Sequence, residues 1–582
     1  MGDEQVDTVR TLPDLLLQQA ERDPDAAAYS LLDWPGQESG RERMRIRQIR
    51  YGELDQAARR LAAWLLDRRL GGERVLVLQQ RPELFIASLF GCLYAGAIPT
   101  PCPVPEGRRS ADERVLSIVQ DAQVSLLLTD RERVADVSRL VAAVGRADLP
   151  CLALDDSTAL PDPADWRPPA GDPDVVAVLQ YTSGSTQEPR GARLTHRNLL
   201  ANQEELVALL GTGQHARVGG WLPFHHDMGL SGQLLHPLWL GTTGVLMSTS
   251  DFAHRPGRWL RAVSECGVTV SGGPDIAYKL CTRKVTDEEL AELDLSGWQV
   301  AVNGSEPVRA ETMDAFAERF APAGFRPSAF VPAYGLAEST LLTAGRRAGT
   351  GGPPRPFHAD IAELELGRLV PATGGQARAL IGCGTAVVPH NDLRIVEPDT
   401  GRVLPEGRVG EIWTRGRSVA DGYWKRPLET RETFGGVTAD GESGFLRTGD
   451  LGVLHGGELF VTGRIKDMLV LAGRNVYPQD IEHQVQQLSE LFAATAVFGE
   501  GPDREGVVVV QEVRVGRRYD LDLTALEQAV RTCVTRDFEV AAVQVVLVRP
   551  GTVRRTSSGK IQRQTTRRLF LSGRLLRLAI PG

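Results

Sequence analysis

The sequence lacks a hydrophobic run long enough to cross a bilayer. Its longest apolar run, Ile86–Pro99, is interrupted by a serine and two glycines. It falls short of the ~20 residues that a membrane-spanning helix needs. The N-terminal segment Met1–Val6 is acidic, and it lacks the pattern of a secretory signal, in which a positively charged stretch precedes an apolar one. We therefore expect no membrane span and assign the run to a buried helix.

Cysteine is scarce and scattered along the chain. The seven cysteines form no CxxC pair. This pattern fits neither a disulfide framework nor a zinc site, and it favours a reducing, cytoplasmic location.

Basic residues are somewhat fewer than acidic ones, and lysine is scarce. The 582 residues include 66 Lys and Arg against 74 Asp and Glu, so the net charge is −8. Nucleic acid requires a basic binding surface, and we therefore expect no nucleic-acid partner. Because lysines are so few, a lysine inside a motif carries weight. The lysines are Lys279, Lys284, Lys425, Lys466 and Lys560.

Short apolar segments that alternate with helix-like segments predict an α/β fold. The candidate strands are Arg74–Gln80, Val124–Thr129 and Val175–Gln180, and the helix-like segment Pro82–Ala95 follows the first of them. Around residues 394–414 the pattern changes to short strands with Gly and Pro turns, which predicts a small β element.

After Gly463 the sequence again predicts strand, helix and strand, and it ends in a basic, leucine-rich helix at Arg567–Leu578. We expect a large N-terminal domain over residues 1–463, built of stacked α/β subdomains plus the small β element. A hinge at residues 464–467 and a small, mobile α+β domain over residues 468–582 complete the predicted organisation.

A loop rich in glycine, serine and threonine follows the third candidate strand. In Gln180–Thr186 (QYTSGST), backbone N–H and side-chain hydroxyl groups can wrap around phosphate oxygens. The loop is not a Walker A sequence, since no GK[ST] follows at the required spacing, and it lacks the GxSxG of a nucleophile elbow. Taken alone, such a loop is more often an ordinary polar turn.

Further along the chain, two segments carry side chains of chemical interest. The segment His225–Asp227 suggests a metal site, but neighbouring residues of an extended chain point in opposite directions. Lys560 follows a Ser-Ser-Gly turn, so its ammonium group can enter a site and neutralise developing charge. A solvated surface lysine is the alternative.

Together these motifs resemble the acyl-adenylate-forming superfamily, and within it the fatty acyl-AMP ligase branch. The resemblance extends from Tyr181 to Lys560, with Gln187 where glycine and Arg190 where lysine is usual. The segments that carry it are YTSGST at 181–186, LPFHHDMGL at 222–230, SGGPDIAY at 271–278, NGSEPV at 303–308, YGLAE at 334–338, LRTGD at 446–450, TGRIKD at 462–467, GRNVYPQDIE at 473–482 and RTSSGK at 555–560.

The resemblance implies a role for each matching residue. The phosphates of ATP are expected at Thr182, Ser183, Gly184, Ser185, Thr186 and Arg190. The adenine is expected beside Gly304, Ser305, Glu306, Tyr334 and Gly335. The rest of the nucleotide is expected to contact Asp450, through the ribose hydroxyls, and Arg464.

The resemblance also places the metal, the acyl chain and the hinge. Glu338 is the expected Mg²⁺ ligand, and the expected catalytic residues are Lys560, His226 and Glu338. Lys466 is the expected hinge residue. The acyl pocket is expected at His226, Asp227, Gly272, Gly273 and Pro274.

A long connection marks the branch. Glu338 and Gly382 are 44 positions apart, and a connection longer than ~15 residues usually has a function of its own. Within it, Phe357–Pro371 resembles the insertion of fatty acyl-AMP ligases, expected near residues 356–373. In that branch the insertion is thought to restrain the small domain and to disfavour free CoA.

The resemblance thus implies a two-step reaction. ATP, with Mg²⁺, converts a fatty acid to acyl-AMP and pyrophosphate, and the phosphopantetheine thiol of an acyl carrier protein, supplied in trans, then takes the acyl group. Two alternatives stay open. One is a fatty acyl-CoA ligase that uses free CoA, and the other is a non-catalytic homologue that binds acyl-AMP or a carrier protein.

Overall fold

A computed structural model describes the chain from Val9 to Leu578. The residues inside this range that it leaves undescribed are 36, 39–40, 106–108, 156–159, 169–170, 182–188, 351, 375–376, 385–390, 472–473, 502–503, 515–521 and 556–559.

Strands and helices alternate through most of the chain. The strands are β1 Ala27–Asp33, β2 Gln37–Glu38, β3 Arg41–Glu42, β4 Arg45–Arg50, β5 Arg74–Leu78, β6 Ile98–Pro101, β7 Leu126–Thr129, β8 Cys151–Ala153, β9 Val176–Tyr181, β10 Gly191–Thr195, β11 Gly219–Gly220, β12 Gly244–Met247, β13 Val270–Gly273, β14 Val300–Asn303, β15 Phe330–Tyr334, β16 Ala344–Gly345, β17 Pro356–Asp360, β18 Ala377–Ile381, β19 Asp392–Val396, β20 Gly410–Arg415, β21 Leu446–His455, β22 Glu458–Arg464, β23 Leu469–Leu471, β24 Arg474–Val476, β25 Phe492–Gly501, β26 Arg504–Val513 and β27 Ala542–Val548. The α-helices are α1 Leu12–Arg22, α2 Tyr51–Asp67, α3 Pro82–Tyr94, α4 Arg109–Ala122, α5 Val134–Ala142, α6 His196–Leu210, α7 His236–Leu240, α8 Thr249–His254, α9 Gly257–Cys266, α10 Asp275–Lys284, α11 Asp287–Ala291, α12 Ala310–Phe320, α13 Ile361–Glu365, α14 Pro427–Phe434, α15 Pro478–Gln487, α16 Leu523–Asp537 and α17 Arg563–Leu571.

A fully parallel sheet lies near the start of the chain, with strand order β6-β5-β7-β8. Strand β5 (RVLVL) is almost entirely buried, as expected when helices cover both faces of a parallel sheet. Helix α3 packs closely on α2 because Gly91 has no side chain. A Cβ at this position would lie only 2.6 Å from the side chain of Leu61. The strand and the buried helix predicted here are confirmed at Arg74–Leu78 and Pro82–Tyr94.

Two further sheets complete the α/β part of the large domain. One has the order β11-β12-β1-β4 and the other β13-β14-β15-β16, in which β13, β14 and β15 are parallel. Beside them lies an aromatic core in which Trp259, Tyr278 and Trp298 meet edge to face or stacked, with ring centroids 5.3–6.3 Å apart. Each such buried ring stabilises the fold by roughly 1.5–3 kcal/mol.

An antiparallel sheet of order β19-β20-β21-β22 follows, and it confirms the small β element expected around residues 394–414. The expected insertion is also structured. Strands β17 and β18 pair antiparallel, α13 follows β17, and the apolar residues Ala359 and Leu364 pack with Phe460 of β22 and Tyr477.

The last part of the chain forms its own small α+β unit. The sheet β25-β26-β27 carries separate apolar clusters on its two faces, one around Val497 and Val509 and the other around Phe498 and Val510. The predicted helix Arg567–Leu578 was wrong in its bounds. Helix α17 begins earlier and ends at Leu571, because Gly573 has a φ of +68° and the backbone of Leu578 pairs with Leu547 of β27.

None of the helices in the described ranges combines the length and the apolar character that a membrane crossing requires.

Candidate active site

The carboxyl ends of three parallel strands meet at one edge of a sheet. There β13 ends in Gly273, β14 leads into Gly304, and β15 leads into Gly335. At such an edge, α/β proteins usually bind their ligands. Close packing explains the glycines: a Cβ on Gly304 would lie 2.8 Å from the carbonyl oxygen of Ala333, and one on Gly335 only 1.6 Å from that of Leu341.

The residues expected around the acyl chain share this edge. A Cβ on Gly272 would lie 2.5 Å from the carbonyl oxygen of Val302, whereas one on Gly273 would approach the ring of Trp221 at 3.3 Å. Pro274 then caps the start of α10. Both glycines therefore keep the backbone close to its neighbours at the point where α10 begins.

Ser305 and Glu306 lie directly after β14. Ser305 adopts a φ of +68°, and its hydroxyl lies 3.7 Å from the sulfur of Met228. The carboxylate of Glu306 accepts a hydrogen bond of 2.6 Å from the backbone N–H of Ile276 in the first turn of α10. Burial, followed by the charge of Asp275, raises the pKa of Glu306 to about 7.

Tyr334, Asp450 and Arg464 form a hydrogen-bonded cluster. Strands β21 and β22 pair so that Asp450 and Arg464 lie opposite each other. The Asp450 carboxylate accepts hydrogen bonds from the Tyr334 hydroxyl, at 2.9 Å, and from Nε of Arg464, at 2.7 Å. Asp450 is only 5% exposed, and its charge raises the pKa of Arg464. The cluster therefore surrounds a buried carboxylate with two hydrogen-bond donors.

Glu338 sits on a tight turn, Ala337–Ser339, that follows this cluster in the sequence. Its carboxylate accepts a hydrogen bond of 2.8 Å from the hydroxyl of Tyr423, and its backbone carbonyl accepts one of 2.9 Å from the N–H of Ala420. Burial raises the pKa of Glu338, while the Tyr423 hydroxyl opposes that rise. An oxygen-bearing side chain in this position fits a Mg²⁺ ligand.

Sequence reasoning did not find Tyr423. It lies in a segment that runs beside β10, where the N–H of Trp424 donates to the carbonyl of Gly191 at 2.8 Å. This pairing brings the Arg190 guanidinium to 5.4 Å from the centre of the Tyr423 ring. Tyr423 thus links Arg190 to Glu338. A tyrosine between a glycine and a tryptophan belongs to none of the patterns used above, so the sequence alone carried no signal for it.

The Gly-Ser-Thr loop connects the antiparallel strands β9 and β10. Of the residues expected to bind phosphate, Thr182, Ser183, Gly184, Ser185 and Thr186 lie outside the described residues, as does Gln187. The two ends of the loop are described. At one end the hydroxyl of Tyr181 donates to Asp121 at 2.6 Å, and at the other lies Arg190.

His226 and Asp227 form a close pair, with Nδ1 of the ring 2.6 Å from the carboxylate. Burial alone would raise the pKa of Asp227, but His226 and Lys560 outweigh it and the pKa is lowered. Burial lowers the pKa of the neighbouring His225 to about 3, so its ring is neutral. The described residues contain no group of three side chains suited to holding a metal ion, so nothing there favours the metal-site alternative for these histidines.

Lys560 enters the same site from the small domain. It is partly buried, and the charged groups that act on it are Arg464, Asp227, Glu306 and Asp450. Burial, together with Arg464, lowers its pKa. Lys466 instead lies exposed in the turn after β22.

The structure thus joins residues from distant parts of the chain. It gathers Asp227, Glu306, Tyr334, Asp450, Arg464 and Lys560 in one site, and it links Arg190 to Glu338 through Tyr423.

The AMP-binding enzyme family matches residues 16–424 of this chain. The chain belongs to the AMP-binding enzyme family. The medium-chain-fatty-acid–[acyl-carrier-protein] ligase JamA of Moorena producens (strain JHB) is 40% identical over 579 residues, which cover 97% of this chain and 96% of JamA.

Two solved structures match over nearly their whole length. One comes from a study of fatty acyl-adenylate ligases from E. coli and L. pneumophila, with a TM-score of 0.86, 31% identity, and coverage of 97% of this chain and 98% of that chain. The other is the L. pneumophila fatty acyl-adenylate ligase in complex with acyl adenylate and pyrophosphate, with a TM-score of 0.75, 32% identity, and coverage of 98% and 97%. These relatives confirm the resemblance to fatty acyl-AMP ligases and the expected fold class.

Proposed function

We propose that this AMP-binding enzyme activates a fatty acid with ATP to acyl-AMP and pyrophosphate, and then passes the acyl group to the phosphopantetheine thiol of an acyl carrier protein. One observation carries the proposal. Asp450 and Glu306 of the large domain, with Arg464 at the end of β22, act electrostatically on Lys560 of the small domain in one partly buried site. The likeness to JamA and to the acyl-adenylate complex supports the same reaction.

In the first step the fatty-acid carboxylate attacks the α-phosphorus of ATP, a bond to phosphorus forms, and pyrophosphate leaves with the bonding electrons. No proton transfer is needed. The Lys560 ammonium neutralises charge on the reacting groups, and the Arg190 guanidinium stabilises the phosphates. Bound Mg²⁺ supplies further charge neutralisation at the phosphates, and Glu338 is the residue that holds it.

The nucleotide and the acyl chain occupy different parts of the strand edge. We assign adenine to Gly304–Glu306 and Tyr334–Gly335, with the ribose at Asp450, whose carboxylate accepts a hydrogen bond from Arg464. The five undescribed residues Thr182–Thr186 are assigned to the phosphates on the sequence resemblance alone. The acyl chain is assigned to the side of Gly272–Pro274, with the pair His226–Asp227 between it and the nucleotide.

In the second step the carrier thiol loses its proton to solvent and its sulfur attacks the acyl carbonyl. A thioester bond forms, and AMP leaves with the electrons of the broken bond between the acyl carbon and the phosphate oxygen. We assign a rotation of the small domain about Lys466 to the interval between the two steps, since this residue lies in the exposed turn between the domains. The insertion, together with strand β18 that pairs with it, touches the small domain at β24 and just after it. Arg378 stacks over Tyr477 at 4.8 Å and pairs with Asp480 at 3.2 Å, and Glu365 pairs with Arg474 at 3.1 Å. These contacts support the role of the insertion in restraining the small domain.

Product analysis tests the proposal. The full chain is incubated with ATP, Mg²⁺ and fatty acids of about 8 to 16 carbons, with either free CoA or a phosphopantetheinylated acyl carrier protein, and the products are identified by mass spectrometry. We expect acyl-AMP to accumulate without carrier and acyl-carrier to form with it, with little acyl-CoA. Efficient acyl-CoA formation would replace the proposal with the CoA ligase, and the absence of every product would favour the non-catalytic homologue.

A further inference from the structure

The end of the chain carries a charge opposite to that of the rest. Residues 549–582 contain nine basic side chains and no acidic one, whereas the other 548 residues contain 57 basic and 74 acidic ones. The basic residues are Arg549, Arg554, Arg555, Lys560, Arg563, Arg567, Arg568, Arg574 and Arg577. A cationic segment on an acidic protein produces a local positive field that attracts anionic partners.

Folding arranges much of this charge around the loop that delivers Lys560. The backbone of Arg555 pairs with Ile561, and the N–H of Gln562 donates to the carbonyl of Arg554 at 2.8 Å. Exposed Arg554 and Arg555 therefore stand at the stem of that loop, next to the site.

The other end of the segment returns to the same strand. The backbone of Arg577 pairs with Val548, so Arg577 lies next to the end of β27, which Arg549 follows directly. Two leucines beside these arginines are exposed, Leu571 by 56% and Leu576 by 78%. Arginines that border exposed apolar side chains are a common composition of protein interfaces.

Most of the exposed arginines have no countercharge within the described part of the chain. Arg563 is the contrast: it is mostly buried and pairs with Asp467 and Glu482 at 2.7 Å. The structure records no ion pair to any described residue for the exposed arginines Arg549, Arg554, Arg555, Arg574 and Arg577. We call these five the cationic face.

We infer that the cationic face is the docking surface for an acidic face of the acyl carrier protein. The inference rests on the proposed function, because that function requires a carrier to bring its thiol to the site that Lys560 enters. Opposite charges on the two proteins accelerate their encounter and fix the orientation of docking.

The test compares two double variants of the full chain that change the charge equally. Arg574→Glu with Arg577→Glu reverses part of the cationic face, and Arg45→Glu with Arg326→Glu reverses two exposed arginines of the large domain. None of the four has a role in the site. Three rates are measured: acyl-AMP formation without acceptor, acyl transfer to free pantetheine, and acyl transfer to a phosphopantetheinylated acyl carrier protein of net negative charge, each at low and high salt.

For the tail variant we expect kcat/KM for the carrier to fall at least tenfold, mainly through KM, with less salt dependence than wild type. Acyl-AMP formation and transfer to pantetheine should stay within twofold of wild type, and the large-domain variant should match wild type throughout. With a carrier in which surface acids are changed to Asn or Gln, wild type and the tail variant should have similar kcat/KM.

Several results would overturn the inference. Equal kcat/KM of wild type and tail variant for the carrier would do so, and so would an equal loss of transfer to pantetheine, which indicates a damaged site. Loss of binding to vesicles that contain phosphatidylglycerol, with carrier kinetics unchanged, would assign the face to a membrane surface. A wild-type enzyme that acylates CoA but no carrier would refute the proposed function itself, and the docking surface with it.

Discussion

The two domains build their halves of the site by different means. In the large domain, Tyr334, Asp450 and Arg464 are fixed by side-chain hydrogen bonds of 2.7–2.9 Å around one buried carboxylate. The small domain contributes Lys560 on a loop whose stem is fixed by backbone pairing at Arg555 and Ile561. The large-domain half is therefore a preorganised binding site, whereas the small-domain half adds one charge, which the proposed rotation makes mobile. Changes in the first should impair binding and stability, and changes in the second should impair the chemical step.

The sharpest way to break this comparison is to remove the mobile charge. We predict that Lys560→Ala reduces acyl-AMP formation by ~10²–10³, the usual loss for a group that stabilises transition-state charge. Binding of ATP by the large domain should change far less, and so should the melting temperature. Pre-steady-state pyrophosphate release and nucleotide titration separate the two effects. Acyl-AMP formation by the variant at a rate near that of wild type would refute the role assigned to Lys560.

A smaller effect is expected within the fixed half. The hydroxyl of Tyr423 lowers the pKa of Glu338 against the effect of burial, so its removal in Tyr423→Phe should raise that pKa further. A protonated carboxyl does not hold Mg²⁺, and the acidic limb of the rate profile should move to higher pH. We expect roughly a tenfold loss of activity near pH 6, in the range of one hydrogen bond to a charged group. Rate profiles across pH and Mn²⁺ titration of the enzyme with ATP measure the effect.

Tyr29→Phe is the matched control for Tyr423→Phe. It also removes a buried hydroxyl, one that donates to the carbonyl of Leu234 at 2.8 Å. We expect it to cost roughly 1 kcal/mol of stability without shifting the pH profile. An identical profile for wild type and both variants would show that Tyr423 does not position Glu338.

The insertion contacts the small domain, and weakening these contacts should show how far they restrain it. Deleting Pro356–Thr373 should raise turnover with free CoA, but it removes β17 and leaves β18 without its partner. The double variant Glu365→Gln with Arg378→Gln keeps the hairpin and weakens its ion pairs to Arg474 and Asp480. It also removes the stacking of Arg378 on Tyr477 and its hydrogen bond to the carbonyl of Thr462. With about 1 kcal/mol lost in total, we expect roughly a fivefold rise in kcat/KM for CoA.

The control for this variant is Arg368→Gln. Arg368 pairs with Glu363 within the insertion itself, not with the small domain. It should leave the choice of acceptor unchanged. If both variants turn over CoA at the wild-type rate while remaining folded, the insertion does not restrain the small domain through these contacts.

The sequence predicted the α/β fold class and several of its elements, because these depend on local patterns, whereas the roles of the site residues come from the family resemblance and stay predictions. Apolar strands such as β5 and the Gly-rich strand ends are recognisable in single segments. Tyr423 could not be predicted, since its partner Glu338 lies 85 positions away and only the pairing of its segment with β10 brings the two together. The end of α17 was missed because a tertiary contact, Leu578 with Leu547, overrides helix propensity after Gly573.

The last prediction concerns stability alone and the charge of Glu306, which faces Lys560 across the two halves. Burial raises the pKa of Glu306 from its ordinary value to about 7. A raised pKa means that the folded protein holds this proton more tightly than the unfolded chain does. The folding stability that comes from the proton is therefore complete below the pKa of the unfolded chain, and it is lost as the pH rises to about 7.

Glu306→Gln keeps an acceptor for the N–H of Ile276 but carries no charge. It should therefore be more stable than wild type at pH 8, by roughly 1–2 kcal/mol for a partly exposed group, and equally stable near pH 4.5. Urea unfolding at the two pH values measures the difference. Equal stabilities of wild type and variant at pH 8 would mean that Lys560 already compensates the charge of Glu306. The small-domain half would then be bound to the large-domain half too firmly to act as a mobile charge.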